Sequence, residues 1–191
     1  MLWDFKAKFY DKGRNSFFLS WILRKENEVV TQLLPSNILE ERRILDVGTG
    51  TGNIPSLLIN PQITIGIDIS YGMLQRAKSN HRNLFVINCN IVKIPLAIGV
   101  IDVVFCVGVL EYFSDFKTLF SEISQVLQND GLFYLTYSQK NLPNFLRNIL
   151  GEKIHFVQEN EIIQELQSYG FQLVKKNKTF IQTQLLFRRG I

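Results

Sequence analysis

The chain has 191 residues, of which 46% are hydrophobic and 20% are charged. This composition excludes a disordered chain and indicates one globular domain, long enough to bury a sizeable core. The net charge of +4 is spread along the chain rather than concentrated, so we expect no nucleic-acid partner. No apolar run reaches the ~18 residues that span a bilayer, and the first residues lack the order of a signal peptide. We therefore expect a cytoplasmic protein.

The cysteines and histidines give no sign of a metal centre. Cys89 and Cys106 both lie in apolar surroundings. Free cysteines are commonly buried, so we expect two reduced thiols in the core. The two histidines, His81 and His155, have no ligand spacing with them, and the sequence therefore predicts no metal site.

The predicted elements alternate between helices and strands along most of the chain. Helices are predicted at 16–34, 53–59, 71–79, 115–128, 142–150 and 160–168, strands at 44–48, 63–69, 84–88, 101–107, 132–137, 171–176 and 180–187, and turns at 129–131 and 176–178. The strand at 101–107 is an almost unbroken apolar run, as expected of a strand covered on both faces. The pattern predicts a doubly wound, mostly parallel seven-stranded α/β sheet with helices on both faces and an antiparallel C-terminal hairpin.

The least ordinary residues follow the first predicted strand. Asp46 precedes three alternating glycines, Gly48, Gly50 and Gly52. Such glycines let the backbone turn tightly and let a ligand approach the main chain, at the sheet edge where ligands of this fold class bind. The dinucleotide fingerprint spaces its glycines G-x-G-x-x-G, whereas Asn53 stands where its last glycine would fall. The spacing and the acid disfavour the pyrophosphate of NAD and favour a cationic ligand.

This loop resembles the first motif of the class I S-adenosylmethionine (SAM)-dependent methyltransferases. The next strand ends at Asp68 and Ile69, and Met73 follows, which resembles the second motif of that family. The resemblance implies a Rossmann-like SAM-binding fold over nearly the whole chain, with Asp68 binding both ribose hydroxyls. The chemistry agrees, because a carboxylate presents two acceptor oxygens to a vicinal diol.

Three further stretches also resemble this family, the first of them less closely. Asn90 and Ile91 stand where relatives carry the acid that accepts a hydrogen bond from the adenine amino group; Asn90 keeps an acceptor carbonyl without the charge. The stretch through Val107 resembles the fourth motif, in which a histidine is common where Tyr112 stands. Tyr10 resembles the tyrosine of an N-terminal segment that closes over the methionine end of SAM in relatives.

The resemblance thus implies a set of cofactor-binding residues but no fixed catalyst. The predicted contacts are Tyr10, Asp46, Gly48, Thr49, Gly50, Gly52, Asp68, Ile69, Met73, Asn90, Ile91 and Val107. Displacement of a methyl group from a sulfonium mainly needs the nucleophile, the methyl carbon and the sulfur to be aligned. A base is needed only if the acceptor must lose a proton, and Tyr112 and His155 are the candidates for that role.

We expect a single SAM-dependent methyltransferase domain over residues 1–191. It divides into an N-terminal helical cap at 1–37, a SAM-binding core at 38–138, a substrate-side insertion at 139–158 and a C-terminal helix and hairpin at 159–191. The cap and the insertion are rich in Phe, Leu and Ile, which predicts a small, partly apolar acceptor, with a lipid surface or lipophilic substrate as a further candidate contact. A non-catalytic SAM-binding module and an NAD-dependent oxidoreductase remain as alternatives.

Overall fold

The structure, a computed structural model, describes residues 17–113, 115–138, 155–179 and 181–190. The helices are α1 Phe17–Leu33, α2 Ser36–Leu39, α3 Tyr71–Asn80, α4 Lys117–Val126 and α5 Glu159–Ser168. The strands are β1 Arg43–Val47, β2 Ile63–Asp68, β3 Leu84–Asn88, β4 Ile101–Cys106, β5 Leu127–Ser138, β6 Phe171–Lys178 and β7 Gln182–Arg189. Tyr10 and the predicted helix at 142–150 lie outside the described residues.

The seven strands form one sheet in the order β3-β2-β1-β4-β5-β7-β6. The first five pair in parallel, and β7 runs antiparallel to both β5 and β6. The predicted doubly wound sheet with an antiparallel C-terminal hairpin is therefore confirmed. The strand order reverses between β1 and β4, so their carboxyl ends flank the crevice where such sheets bind ligands.

Apolar side chains pack on both faces of this sheet. One core cluster includes Leu45, Val104, Phe133, Phe120 and Ile162, and the other includes Ile44, Val103, Phe105, Val30 and Leu33. Neighbouring residues of one strand fall in different clusters because successive strand side chains point to opposite faces. Helices α4 and α5 contribute to the first cluster and α1 to the second, so helices cover both faces, as predicted.

Helix α1 is amphipathic over the part whose side chains are described. Glu26, Val30 and Leu33 are buried, whereas Lys25 and Glu28 are exposed and form an ion pair with an Nζ–Oε2 distance of 2.8 Å. The helix therefore lies on the sheet with one face turned to the core. Among the described residues, no helix combines the length and the hydropathy needed to cross a membrane.

The helix predicted at 53–59 is replaced by one short 3₁₀ turn, Pro55–Leu57. Asn60 has a φ of 46° and precedes Pro61, a position at which the α conformation is disfavoured. Only a few residues remain between Pro55 and this break, too few to propagate an α-helix. The prediction of an α-helix here is wrong, and the glycine loop is followed by this 3₁₀ turn instead of an α-helix.

Two predicted turns lie inside strands. Residues 128–131 form a bulge in β5, since the pairing with β4 jumps from Leu127 to Leu132, and Asp130 has a φ of 59°. An Asn-Asp-Gly sequence suits such a bulge as well as it suits a turn. Residues 176–178 belong to β6, whose polar side chains are tolerated because β6 is an edge strand.

An acid inside the apolar β4 strand has its partner at the amino end of the sheet. The Asp102 carboxylate accepts hydrogen bonds from Arg43 N at 2.7 Å and from Arg43 Nε and Nη2 at 2.9 Å. These bonds from Arg43 hold the pKa of Asp102 below its usual range. The pair joins β1 to β4 at the edge opposite the glycine loop, so Asp102 has a structural role.

Candidate cofactor site

The glycine loop after β1 is shaped by three left-handed backbone conformations. Gly48, Gly50 and Gly52 have φ values of +69°, +54° and +92°. A Cβ at Gly48 would stand 2.3 Å from Cγ2 of Val109, and one at Gly52 would stand 2.6 Å from Cδ2 of His81. A Cβ at Gly50 would meet no described atom within 4 Å. Gly48 and Gly52 therefore pack against the protein, and Gly50 faces open space where a ligand can approach.

Asp68, at the end of β2, is joined directly to this loop. Its Oδ2 accepts a hydrogen bond from Gly50 N at 3.0 Å, and its Oδ1 accepts one from Ser70 N at 2.8 Å. The carboxylate is half-buried, and each carboxylate oxygen can accept more than one hydrogen bond. Gly66 allows β2 to pass close to the loop, because a Cβ there would lie 2.9 Å from Thr49 Cγ2.

Asp46 is a buried acid directly beside the glycine loop. It is 2% exposed, and within the described part of the chain its Oδ2 has no hydrogen-bond partner. Burial raises the pKa of Asp46 to about 7, and the charge of Asp68 adds to the rise. The Thr49 hydroxyl, near this carboxyl but outside hydrogen-bond geometry, opposes the rise only in part. The site thus contains a buried carboxyl that a positive charge would stabilise in its ionised form.

We expect Asp46→Asn to remove a pH-dependent loss of stability. In the unfolded chain the carboxyl ionises near its ordinary pKa of 3.8, whereas in the folded chain it ionises near 7. Wild-type stability therefore falls as pH rises through this window, and the full penalty is present above it. The free energy of unfolding of the asparagine variant, compared with that of wild type, should therefore increase by roughly 1–3 kcal/mol from pH 4 to pH 8. Urea unfolding of wild type and variant at pH 4 and pH 8 measures this change, and the contributions of the other titrating groups cancel because both proteins share them. Parallel pH profiles of the two proteins would contradict the prediction.

Four of the predicted cofactor contacts lie in the segments that follow β2 and β3. Ile69 is 49% exposed, whereas Met73 and Ile91 are buried. Asn90 is exposed, and its Oδ1 accepts a hydrogen bond from Val92 N at 3.2 Å. This is the bond of a local turn, so the acceptor oxygen of Asn90 already has a structural partner.

The end of β4 brings both candidate bases to one place. His155 N donates to the carbonyl oxygen of Glu111 at 2.7 Å, and Tyr112 is the next residue of the same 3₁₀ turn. His155 is exposed and Tyr112 is half-buried, whereas the Glu111 side chain is only 1% exposed.

Cys106, the last residue of β4, is buried beside this site. Its burial, and then the charges of Glu111 and Asp46, raise the pKa of Cys106, which remains a thiol.

Residue Val107 follows β4 directly and is half-buried. The next residue, Gly108, has a φ of +67° and donates from its amide to Thr136 Oγ1 at 2.8 Å. Two residues along β5, Ser138 Oγ donates to Glu111 Oε1 at 3.0 Å. Polar side chains of β5 thus fix the chain where it leaves β4.

Several asparagines that support the site were not predicted. Asn88 donates from Nδ2 to the carbonyl oxygens of Asp68 and Ile69, at 2.9 Å and 3.0 Å. Asn80 donates to the Thr51 carbonyl at 3.1 Å, and the side chain of Asn27 pairs with that of Asn53. Only Asn53, inside the glycine loop, stood out in the sequence, because the other partners are distant along the chain.

Comparison with known proteins agrees with this geometry. Residues 45–135 match a family model described as a methyltransferase domain. A malonyl-[acyl-carrier protein] O-methyltransferase of Legionella pneumophila is 31% identical over 101 residues, which cover 50% of this chain and 36% of that protein. The chain covers 36–46% of the three proteins of this name that it matches.

Solved structures share the whole fold at low sequence identity. The magnesium protoporphyrin IX methyltransferase of Synechocystis, solved with bound S-adenosylhomocysteine (SAH), has a TM-score of 0.77 at 18% identity, with 97% of this chain and 96% of that chain covered. The [4+2]-cyclase SpnF has a TM-score of 0.72 at 14% identity, with 87% and 80% covered.

The predicted resemblance to the class I SAM-dependent methyltransferases is therefore confirmed, since part of the chain matches a methyltransferase-domain model and the fold is that of solved methyltransferases. The match to the methyltransferase-domain model begins inside β1 and ends inside β5. The match includes the glycine loop, Asp68 and the end of β4.

Proposed function

We propose that this chain transfers the methyl group of SAM to a small, partly apolar acceptor and releases SAH. The observation that carries the proposal is the hydrogen bond between the glycine loop and the acid at the end of β2. The Asp68 carboxylate accepts from the amide of Gly50, and the space next to Gly50 is open. This arrangement offers a carboxylate to a ligand diol and a bare backbone to the rest of the ligand. A pyrophosphate at the same loop would lie beside the buried Asp46 carboxyl, and the glycine spacing departs from the dinucleotide fingerprint, so both disfavour the dinucleotide alternative.

The residues present fit SAM. Asp68 is proposed to bind the ribose hydroxyls, and the exposed Ile69 offers an apolar surface to the adenine ring. Gly50 admits the ligand to the main chain, and the buried Asp46 faces no cationic partner among the described residues, which suits a positively charged ligand. The other predicted contacts, at Tyr10, Gly48, Thr49, Gly52, Met73, Asn90, Ile91 and Val107, stay predictions.

The protein's part in the reaction is mainly alignment. SAM supplies a methyl group on a positively charged sulfur, and that carbon is the electrophile. The loop and Asp68 hold the donor at the carboxyl ends of β1 and β2, and the acceptor must approach from the side of β4. Holding both reactants in line can contribute several kcal/mol, on the order of 7–11 in favourable cases. Tyr112 and His155 are proposed as the groups that accept a proton if the acceptor carries one.

The acceptor is proposed to lie between the cap at 1–37 and the insertion at 139–158. Of the cap, α1 lies on the sheet, and of the insertion, Phe156 and Val157 are half-buried beside α5. The relatives are named for malonyl-[acyl-carrier protein] and for magnesium protoporphyrin IX, which supports a small group as the methylated part. A lipophilic acceptor or a lipid surface stays a candidate contact.

Titration calorimetry in buffer with EDTA tests this proposal. SAM and SAH are expected to bind with one site each, and NADH is expected not to bind, because the buried Asp46 carboxyl adjoins the glycine loop and the glycine spacing is not that of dinucleotide sites. EDTA should leave binding unchanged, since no group of three His, Cys, Asp or Glu in the described residues is placed to hold a metal. Binding of NADH, or SAM binding that needs an added divalent ion, would contradict the proposal. Release of SAH with a panel of small acceptors separates an enzyme from a non-catalytic SAM-binding module.

A further inference from the structure

The glycine loop ends on a side-chain contact with helix α1. Asn53 Nδ2 donates to Asn27 Oδ1 at 3.0 Å, and Asn27 Nδ2 donates to Asn53 Oδ1 at 3.4 Å. Both side chains are half-buried, and the residues are 26 positions apart in the chain. The pair stands directly after Gly52, where the expected α-helix is replaced by a short 3₁₀ turn. The far end of the loop is therefore held from α1 as well as by its own backbone.

Helix α1 is itself fixed at the turn that carries Asn27. The neighbouring Glu26 is buried, and its Oε2 accepts a hydrogen bond from Gln184 Nε2 on β7 at 2.8 Å. Gln184 Oε1 in turn accepts a bond from the Tyr134 hydroxyl on β5. One turn further along, Val30 packs in the core below α1. Asn27 thus projects from a helix that both polar and apolar contacts tie to the sheet.

We propose that Asn27 is a positioning residue for the cofactor loop. Through Asn53 it fixes the segment after Gly50, which a following α-helix would otherwise hold. A loop that is already in place loses less conformational freedom when a ligand binds. Asn27 therefore sets the affinity for SAM and SAH without touching either. The inference rests on the proposed function, because it takes the loop as the cofactor site.

Asn27→Ala tests this inference against a purely structural role. Alanine is the best helix former, so the variant removes the amide pair without lowering the helix propensity of α1. The dissociation constant for SAH, measured by calorimetry, should rise about 5- to 20-fold, because one half-buried pair of neutral hydrogen bonds is removed. Lys25→Ala, on the exposed side of the same helix, is the matched control and should leave SAH binding unchanged.

Two further variants keep the test decisive. Asn27→Asp still accepts from Asn53 Nδ2 and should restore SAH affinity to within about threefold of wild type. Asn53→Ala should weaken SAH binding at least as much as Asn27→Ala, and the double variant should bind no more weakly than Asn53→Ala alone, since both substitutions remove the same pair. Unchanged SAH binding in Asn27→Ala, or a double variant whose losses multiply, would overturn the inference. Failure of the wild-type protein to bind SAH would instead overturn the proposed function.

Discussion

Replacement of Asp68 by alanine is expected to weaken SAH binding more than tenfold. The variant removes the two acceptor oxygens proposed for the ribose hydroxyls, and it also removes the acceptors of Gly50 N and Ser70 N. A hydrogen bond to a charged group is worth about 1.5–3 kcal/mol, so loss of the ligand contacts alone reaches this size. Calorimetry with SAH measures the change.

The stability of the same variant separates its two effects. The two backbone amides left without their acceptor cost roughly 1–3 kcal/mol, or several degrees of melting temperature in a chain of this length. Asp68→Asn keeps one carbonyl oxygen and should lie between wild type and alanine in both measurements. Glu40→Ala, an exposed acid just before β1 at the opposite edge of the sheet, should change neither. Tight SAH binding in Asp68→Ala would remove Asp68 from the proposed site.

The strand pattern and the glycine loop were predictable because local sequence determines both. The short, almost unbroken apolar run of β4 is typical of a strand covered on both faces, and all six of its residues are buried. The three loop glycines take the left-handed conformations that their residue type permits at low cost. The acid at the end of β2 meets the loop because parallel neighbours place their carboxyl ends at one edge. Each of these inferences needs only a few consecutive residues.

The supports of the loop were not predictable, because each is a single side chain from a distant part of the chain. Nothing in the composition of α1 distinguishes Asn27 from any other half-exposed polar residue, and the same holds for Asn88 at the end of β3. The missing helix after the loop has a related cause. The sequence predicts a helix at 53–59, but Pro55 and the left-handed Asn60 leave the segment too short for an α-helix.

Replacement of Gly50 by alanine is expected to give the clearest separation of folding from binding. The new Cβ would meet no described atom within 4 Å, so the folded protein accommodates it apart from the cost of a left-handed backbone, about 1–2 kcal/mol. The same Cβ would occupy the space proposed for the cofactor. Overpacking at this scale costs about 1–3 kcal/mol, so SAH affinity should fall about 10- to 100-fold while the protein stays folded.

Gly99→Ala is the matched control, because it separates the backbone cost from the loss of ligand space. Gly99 has a φ of +67° and also has no atom within 4 Å of an added Cβ, but it lies in the turn before β4, where its amide donates to Gln125 O. Both variants should lose a similar few degrees of melting temperature, and only Gly50→Ala should lose SAH affinity. Equal SAH affinity in the two variants would show that the open side of Gly50 is not where the ligand lies. A loss confined to Gly50→Ala would place the ligand against the main chain at the centre of the glycine loop, next to the Asp68 carboxylate.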